Sequence, residues 1–181
     1  MDTIGVDGLG LAWTELLEQC TRQDESSVSL WWALGVPSGD GEVTAHFDAI
    51  ADNASIVVTR YSGVDAAEPF GPGPAWVAGN ANGLDGACSG GVDTDVYALP
   101  MATTRYASVV VGAIASPTRH TEGDGWTEVT ERRTGSGPLQ AGLAIVEREV
   151  PVPSPLRVEG ELSDEVDWAA SAVELHRQQF M

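Results

Sequence analysis

The residues best suited to chemistry lie in Arg119-His-Thr-Glu-Gly-Asp-Gly125. His120 and Glu122 are two apart and Asp124 follows at the same spacing. An imidazole beside carboxylates can ligate a metal or serve as an acid/base pair. No second histidine stands at ligand spacing, so the commoner reading of this stretch is a polar loop with Asp124-Gly125 at its turn. A second set is Asn80, Asn82, Asp85, Asp93 and Asp95, in and just after a long glycine-rich segment. Oxygen ligands on pliable backbone suit Ca²⁺. The D-x-D-x-D-G order and closing glutamate of an EF-hand are missing, and a solvated acidic loop is the alternative. Cys20 and Cys88 are the two cysteines, far apart and in no zinc pattern. They are either free thiols or one disulfide, which an extracellular setting favours.

Other chemistries find no support. The sequence lacks a Gly-x-Ser-x-Gly elbow. Gly71-Pro-Gly-Pro74 and Gly135-Ser-Gly137 are not followed by Gly-Lys-Ser/Thr, which excludes a phosphate-binding P-loop. Paired carboxylates for sugar hydrolysis are offered many times over by 27 acids, and none is marked out. Of six tryptophans, Trp31 and Trp32 are adjacent and face opposite sides of a strand. Trp31 and Trp76 are therefore candidates for a sugar-stacking or interface surface, with core packing the alternative. Asn53-Ala-Ser55 is a glycosylation sequon. His46 and His176 have no evident partner in sequence.

The elements that must position these residues follow from pattern and composition. The chain has 181 residues, one domain's worth, and no run long and apolar enough for a membrane helix. Asp and Glu number 27 against 9 basic residues, all arginine, for a net charge of −18. That charge argues against nucleic acid and anionic membranes. It fits a high-salt habitat, while arginine-only usage is also what a GC-rich genome produces. Alternation at Val28–Leu34, Val43–Phe47 and Leu156–Leu162 reads as half-buried strands. The β-branched runs Ser55–Tyr61 and Ser108–Ile114 read as central strands buried on both sides. Gly10–Thr14, Ala75–Ala78, Thr94–Leu99, Trp126–Arg132 and Gln140–Glu149 are further strand candidates. Pro37-Ser-Gly-Asp-Gly41 reads as a tight hairpin turn between two strands. About ten short strands so spaced predict an all-β antiparallel sandwich. Trp13–Gln19 holds helix formers. Ser163–Phe180 has a capping serine, acids in its first turn and basic residues in its last, so helix and closing strand both remain open there.

The order of motifs resembles a β-sandwich module that recurs in bacterial and archaeal extracellular and phage-type structural proteins. The matching pieces are Gly10-Leu-Ala-Trp-Thr14, Val28-Ser-Leu-Trp-Trp-Ala-Leu-Gly35, Pro37-Ser-Gly39, Val43–Phe47, Tyr61-Ser-Gly-Val-Asp65 with Pro69, Val109-Val-Val-Gly-Ala113, Gly125-Trp-Thr-Glu128 and Asp167-Trp-Ala169. The resemblance implies a jelly-roll-like fold without a catalytic centre, and a final strand over Asp167–Leu175. It implies one or two strands ahead of Gly10, where only Met1–Leu9 stand. A sandwich short of a strand has an open edge, which a neighbouring subunit's strand can fill.

The sequence thus points to one β-sandwich over residues 1–181, with an arm at 1–9 and a tail at 176–181. The expected role is non-enzymatic: a structural module of a virion shell, tail, fibre or cell-surface filament. Its expected partners are other protein subunits, copies of itself among them. The absence of a secretory leader after Met1-Asp2-Thr3 favours a virion part over a secreted adhesin. A carbohydrate-binding or adhesion module using exposed tryptophan is the alternative. No cofactor is expected beyond the Ca²⁺ reading.

Overall fold

Strand β8 (Ser108–Ala115) is built almost entirely of small and β-branched residues, and all but Val109 are buried. A strand apolar on both faces must sit inside a sheet that is itself covered twice. In the computed structural model, which describes residues 2–178, β8 is an inner strand of a six-stranded antiparallel sheet. Its order is β10 (Thr127–Thr134), β11 (Ala141–Val150), β8, β13 (Ala169–Leu175), β5 (Trp76–Asn80) and β6 (Gly83–Leu84).

One face of this sheet packs on a three-stranded sheet, in the order β7 (Thr94–Ala102), β12 (Pro155–Val166), β9 (His120–Glu122). Val110, Ile114, Ala144, Val146, Ala170 and Ala172 meet Tyr97, Leu99, Met101, Val158 and Leu162 there. Trp126 and Trp168 close the ends of that layer, and each buried indole N–H is satisfied, by Arg157 O at 3.0 Å and Thr94 Oγ1 at 2.7 Å. At Gly112 an added Cβ would stand 3.0 Å from Val146 and 3.1 Å from Val158, so the missing side chain lets the sheets approach. From β7 onward the chain crosses repeatedly between the two sheets, as in a jelly roll.

The opposite face carries a second apolar layer: Val111, Ala113, Ala115, Ile145 and Ala169. It is covered by the hairpin of β2 (Thr14–Cys20) and β3 (Ser27–Trp32), through Val28 and Leu30, and by Val57 and Tyr61. Beyond this cover, β1 (Thr3–Gly8) pairs antiparallel with β4 (Val43–Phe47) as a separate two-stranded ribbon.

The all-β antiparallel sandwich matches the reading of the sequence; several local readings need correction. Ser55–Tyr61 is extended but joins no ladder: Val57 and Tyr61 turn inward while Ile56 and Val58 stay half exposed. It is held by side chains, with Ser55 Oγ donating to Ala141 O at 2.8 Å. Pro37–Gly41 does not close a hairpin, because β3 pairs with β2 and β4 with β1. Trp13–Gln19 is strand from Thr14, and Gly10 lies in a turn rather than a strand. Residues 163–178 are not helical: β12 runs to Val166 and β13 follows, its alanines 169, 170 and 172 wholly buried. Strand β13 lies hydrogen-bonded between β5 and β8, and that two-sided pairing overrides helix propensity. The only helical elements among the described residues are the 3₁₀ turns Gly73–Ala75 and Gly137–Leu139. The arm at 1–9 contains β1, and His176, placed with the tail, is buried within the fold. Residues 179–181 of that tail lie outside the described residues.

Candidate functional site

Strand edges are where a β-protein either protects itself or offers itself. The six-stranded sheet ends in β10, whose Glu128, Glu131, Arg132 and Arg133 place charges on that edge, and in β6, only two residues long. The three-stranded sheet ends in β9, three residues long, and β7, which carries Pro100. Each of these is a device that discourages pairing. The β1–β4 ribbon differs. Val43-Thr-Ala-His-Phe47 has neither proline nor carboxylate. Val6 lies opposite Ala45 and Gly8 opposite Val43, so Val6, Val43, Ala45 and Phe47 line one half-buried face. Among the described residues, neither core layer draws a side chain from β1 or β4. Ile4, Val36 and Ile50, in or flanking the ribbon strands, are 65%, 84% and 100% exposed. The other face is polar: His46 pairs with Asp7 across the ribbon.

The sequence candidates are distributed as follows. His120 is buried on β9 with both ring nitrogens engaged, Nε2 with the Tyr97 hydroxyl at 2.7 Å and Nδ1 with Glu128 Oε2 at 2.8 Å. Its backbone N–H donates to Glu131 Oε1 at 3.1 Å. Glu122 joins His120 and Glu128, with ligand atoms all within 4.8 Å. Asp124 is instead in the turn, where Trp126 N–H donates to Gly123 O at 3.1 Å. Sequence reading missed Glu128. Its signal is the turn itself, which folds β10 back beside β9. Burial, then the carboxylates of Glu128, Glu122 and Glu159, hold the Tyr97 phenol well above its usual range.

The five proposed calcium ligands do not converge as a set. Asn80 is buried and its amide N–H groups brace the loop, donating to Cys20 O at 2.9 Å and Gly86 O at 3.0 Å. Asn82 donates to Ala87 O at 2.8 Å. Asp93 is engaged by the guanidinium of buried Arg22, which also donates to Gly90 O at 3.3 Å. Among the described residues, the carboxylates of Asp85, Asp93 and Asp95 form no common ligand group. The same loop brings Cys88 to Cys20, and the two are joined as a disulfide with Cα atoms 5.6 Å apart. The long loop is therefore stapled to the end of β2.

Trp31 turns away from the six-stranded sheet but is half-buried, and its indole N–H is enclosed without a partner among the described residues. Trp32 packs edge-on against Phe70 with ring centroids 4.9 Å apart. Trp76, 37% exposed, is the most open of the six tryptophans. Asn53 of the sequon is half-buried and its amide donates to Leu139 O at 2.9 Å, so it is engaged where a glycan would attach.

His176, partnerless by sequence, contacts Glu68 O at 3.0 Å and lies 3.5 Å from Glu174. Glu174 is fully buried and accepts from Thr104 N–H at 2.8 Å, Thr104 Oγ1 at 2.8 Å and Arg105 N–H at 3.0 Å. Burial alone raises a carboxyl's pKa; here these donors outweigh it, and Glu174 is held below its usual range. This carboxylate anchors the 104–105 loop and needs no substrate. An open groove of about 490 Å³ lies beside Tyr61, Glu147, Glu149 and Arg177. Glu147 accepts from the Tyr61 hydroxyl and Glu149 from Arg177. Both carboxylates project from one strand, not from opposite walls of a cleft.

Compared with known proteins, the chain matches no family model, no curated protein and no solved structure.

Proposed function

We propose that the chain is a non-enzymatic structural module that builds or decorates a larger assembly, a virion part or a cell-surface filament, by mating the β1–β4 ribbon with a neighbouring subunit. One observation carries this reading: a two-stranded ribbon outside both core layers, with an unguarded edge. Such a ribbon is marginal alone in water, and a neighbour's strand would complete it by main-chain hydrogen bonds. The outer edges of the six- and three-stranded sheets carry charge, proline or extreme shortness, and the β2–β3 hairpin is held against the core through Val28 and Leu30, whereas the β1–β4 ribbon has neither protection. The Cys20–Cys88 bridge suits an oxidising setting outside the reducing cytosol. The charge of −18 keeps free subunits apart until salt screens them.

The test is the mass of the purified chain by light scattering, from micromolar to near-millimolar concentration. Growth of oligomers with concentration supports the reading. Glu in place of Ala45 should suppress that growth, since it sets a carboxylate beside the edge that the neighbour's strand would join. Sugar binding is the second reading, favoured by the exposure of Trp76. It would show as saturable quenching of tryptophan fluorescence by a polysaccharide, lost in Trp76→Ala.

A further inference from the structure

The His120 cluster has more acceptors than donors. Tyr97 and Glu128 take the two ring nitrogens, one each. Among the described residues, no ion pair reaches Glu122, and Glu128 has only the imidazole. Two carboxylates therefore gather around one imidazole, in a protein already rich in negative charge.

The strand geometry makes this a built arrangement. His120 and Glu122 are two apart on β9 and so share one face. Glu128 comes from β10, brought back by the turn after Gly123. The ring of His120 is buried, and Tyr97 fixes its orientation from the Nε2 side, as an outer partner does for a metal-bound histidine. Nδ1 then faces the Glu128 carboxylate, and the ligand atoms of His120, Glu122 and Glu128 lie within 4.8 Å of one another. Ligands about 2.0–2.1 Å from a tetrahedral zinc ion stand roughly 3.3 Å from one another. The Nδ1 to Glu128 separation of 2.8 Å needs to open only slightly to reach that spacing.

We propose that His120 Nδ1 and the carboxylates of Glu122 and Glu128 bind one divalent transition-metal ion, zinc by chemical class, which clamps β9 to β10. These strands are the facing edges of the two sheets of the sandwich, so the ion would lock one open side. One imidazole nitrogen with two carboxylate oxygens suits Zn²⁺ or Co²⁺, whereas all-oxygen sets suit Ca²⁺ and Mg²⁺. The exposed side of Glu122 leaves the remaining position to water. On binding, His120 Nδ1 gives up its hydrogen bond to Glu128, and Nε2–H donates to the Tyr97 oxygen.

The experiment is calorimetric titration of chelator-treated full chain with Zn²⁺, paired with melting curves and with Co²⁺ visible absorption. One Zn²⁺ per chain is expected. Melting should rise by about 5–10 °C at a hundredfold excess over the dissociation constant. Glu122→Gln, at an exposed position, should leave the metal-free chain folded and weaken Zn²⁺ binding roughly tenfold or more. Three results would overturn the site: no stoichiometric binding up to ~1 mM Zn²⁺, equal binding by Glu122→Gln, or an equal melting shift with Ca²⁺. The last would mark general screening of an acidic surface.

Discussion

Reducing the Cys20–Cys88 bridge should cost most of its loop-closure entropy and little native structure. The bridge spans 68 residues. The chain-entropy relation for a loop of that length gives about 4 kcal/mol at 25 °C. The folded loop has other anchors: Gln19 donates to Gly86 O at 2.9 Å, Asn80 to Cys20 O at 2.9 Å, and Arg22 holds Asp93 and Gly90. The native geometry should therefore survive reduction, and the effect should fall on the unfolded chain. Urea unfolding followed by tryptophan emission, with and without reductant, measures it. At a slope of about 2 kcal/mol/M the midpoint should fall by roughly 2 M. Cys88→Ser, at an exposed position, should reproduce the shift without reductant. Equal midpoints would refute the reasoning. So would loss of near-ultraviolet circular dichroism on reduction in the absence of urea, because the bridge would then be holding the native state itself.

Three further outcomes are expected. Glu174→Gln should lose about 3 kcal/mol at pH 7, since the amide cannot accept from Thr104 and Arg105 without turning a donor toward them. The native pKa of Glu174 lies below its unfolded value, so its contribution is complete above about pH 4.3 and fades as pH falls through the native value. The gap between variant and wild-type melting should narrow in acid; a constant gap down to pH 2 would contradict this. Gly160→Ala would set a Cβ 2.6 Å from both Thr121 O and the Tyr97 hydroxyl, and should cost about 1–3 kcal/mol in urea unfolding. Raising NaCl from 0.01 to 1 M shortens the screening length from about 30 to 3 Å. Against a charge of −18 that should raise the melting temperature by several degrees, and a fall would remove the repulsion argument.

Strand periodicity carried much of the fold. β4 and β12 are visible as alternation because each has one wetter face, β3 because Val28 and Leu30 alternate with serines, and β8 as a dense run because both of its faces are covered. Ser55–Tyr61 has the same β-branched composition yet pairs with nothing. Side-chain pattern reports which way residues face, not where backbone hydrogen bonds go. Pairing across distance was equally hidden: turn residues at 37–41 sit between strands that are not neighbours, because β4 returns to β1. In β13, Ala-Ala-Ser-Ala is strand because β5 and β8 flank it, a constraint set by residues 54 or more positions away. The His120 cluster was half legible. The i, i+2 spacing gave Glu122, but Glu128 enters only once the turn is folded.

The most direct measurement of the central claim is sedimentation of the wild-type chain and of Ala45→Glu over a concentration series in molar NaCl. The account expects wild type to associate reversibly into larger species, and the variant to remain a folded monomer with unchanged circular dichroism. A wild-type chain that stays monomeric to near-millimolar concentration, or a variant that associates equally well, would contradict it.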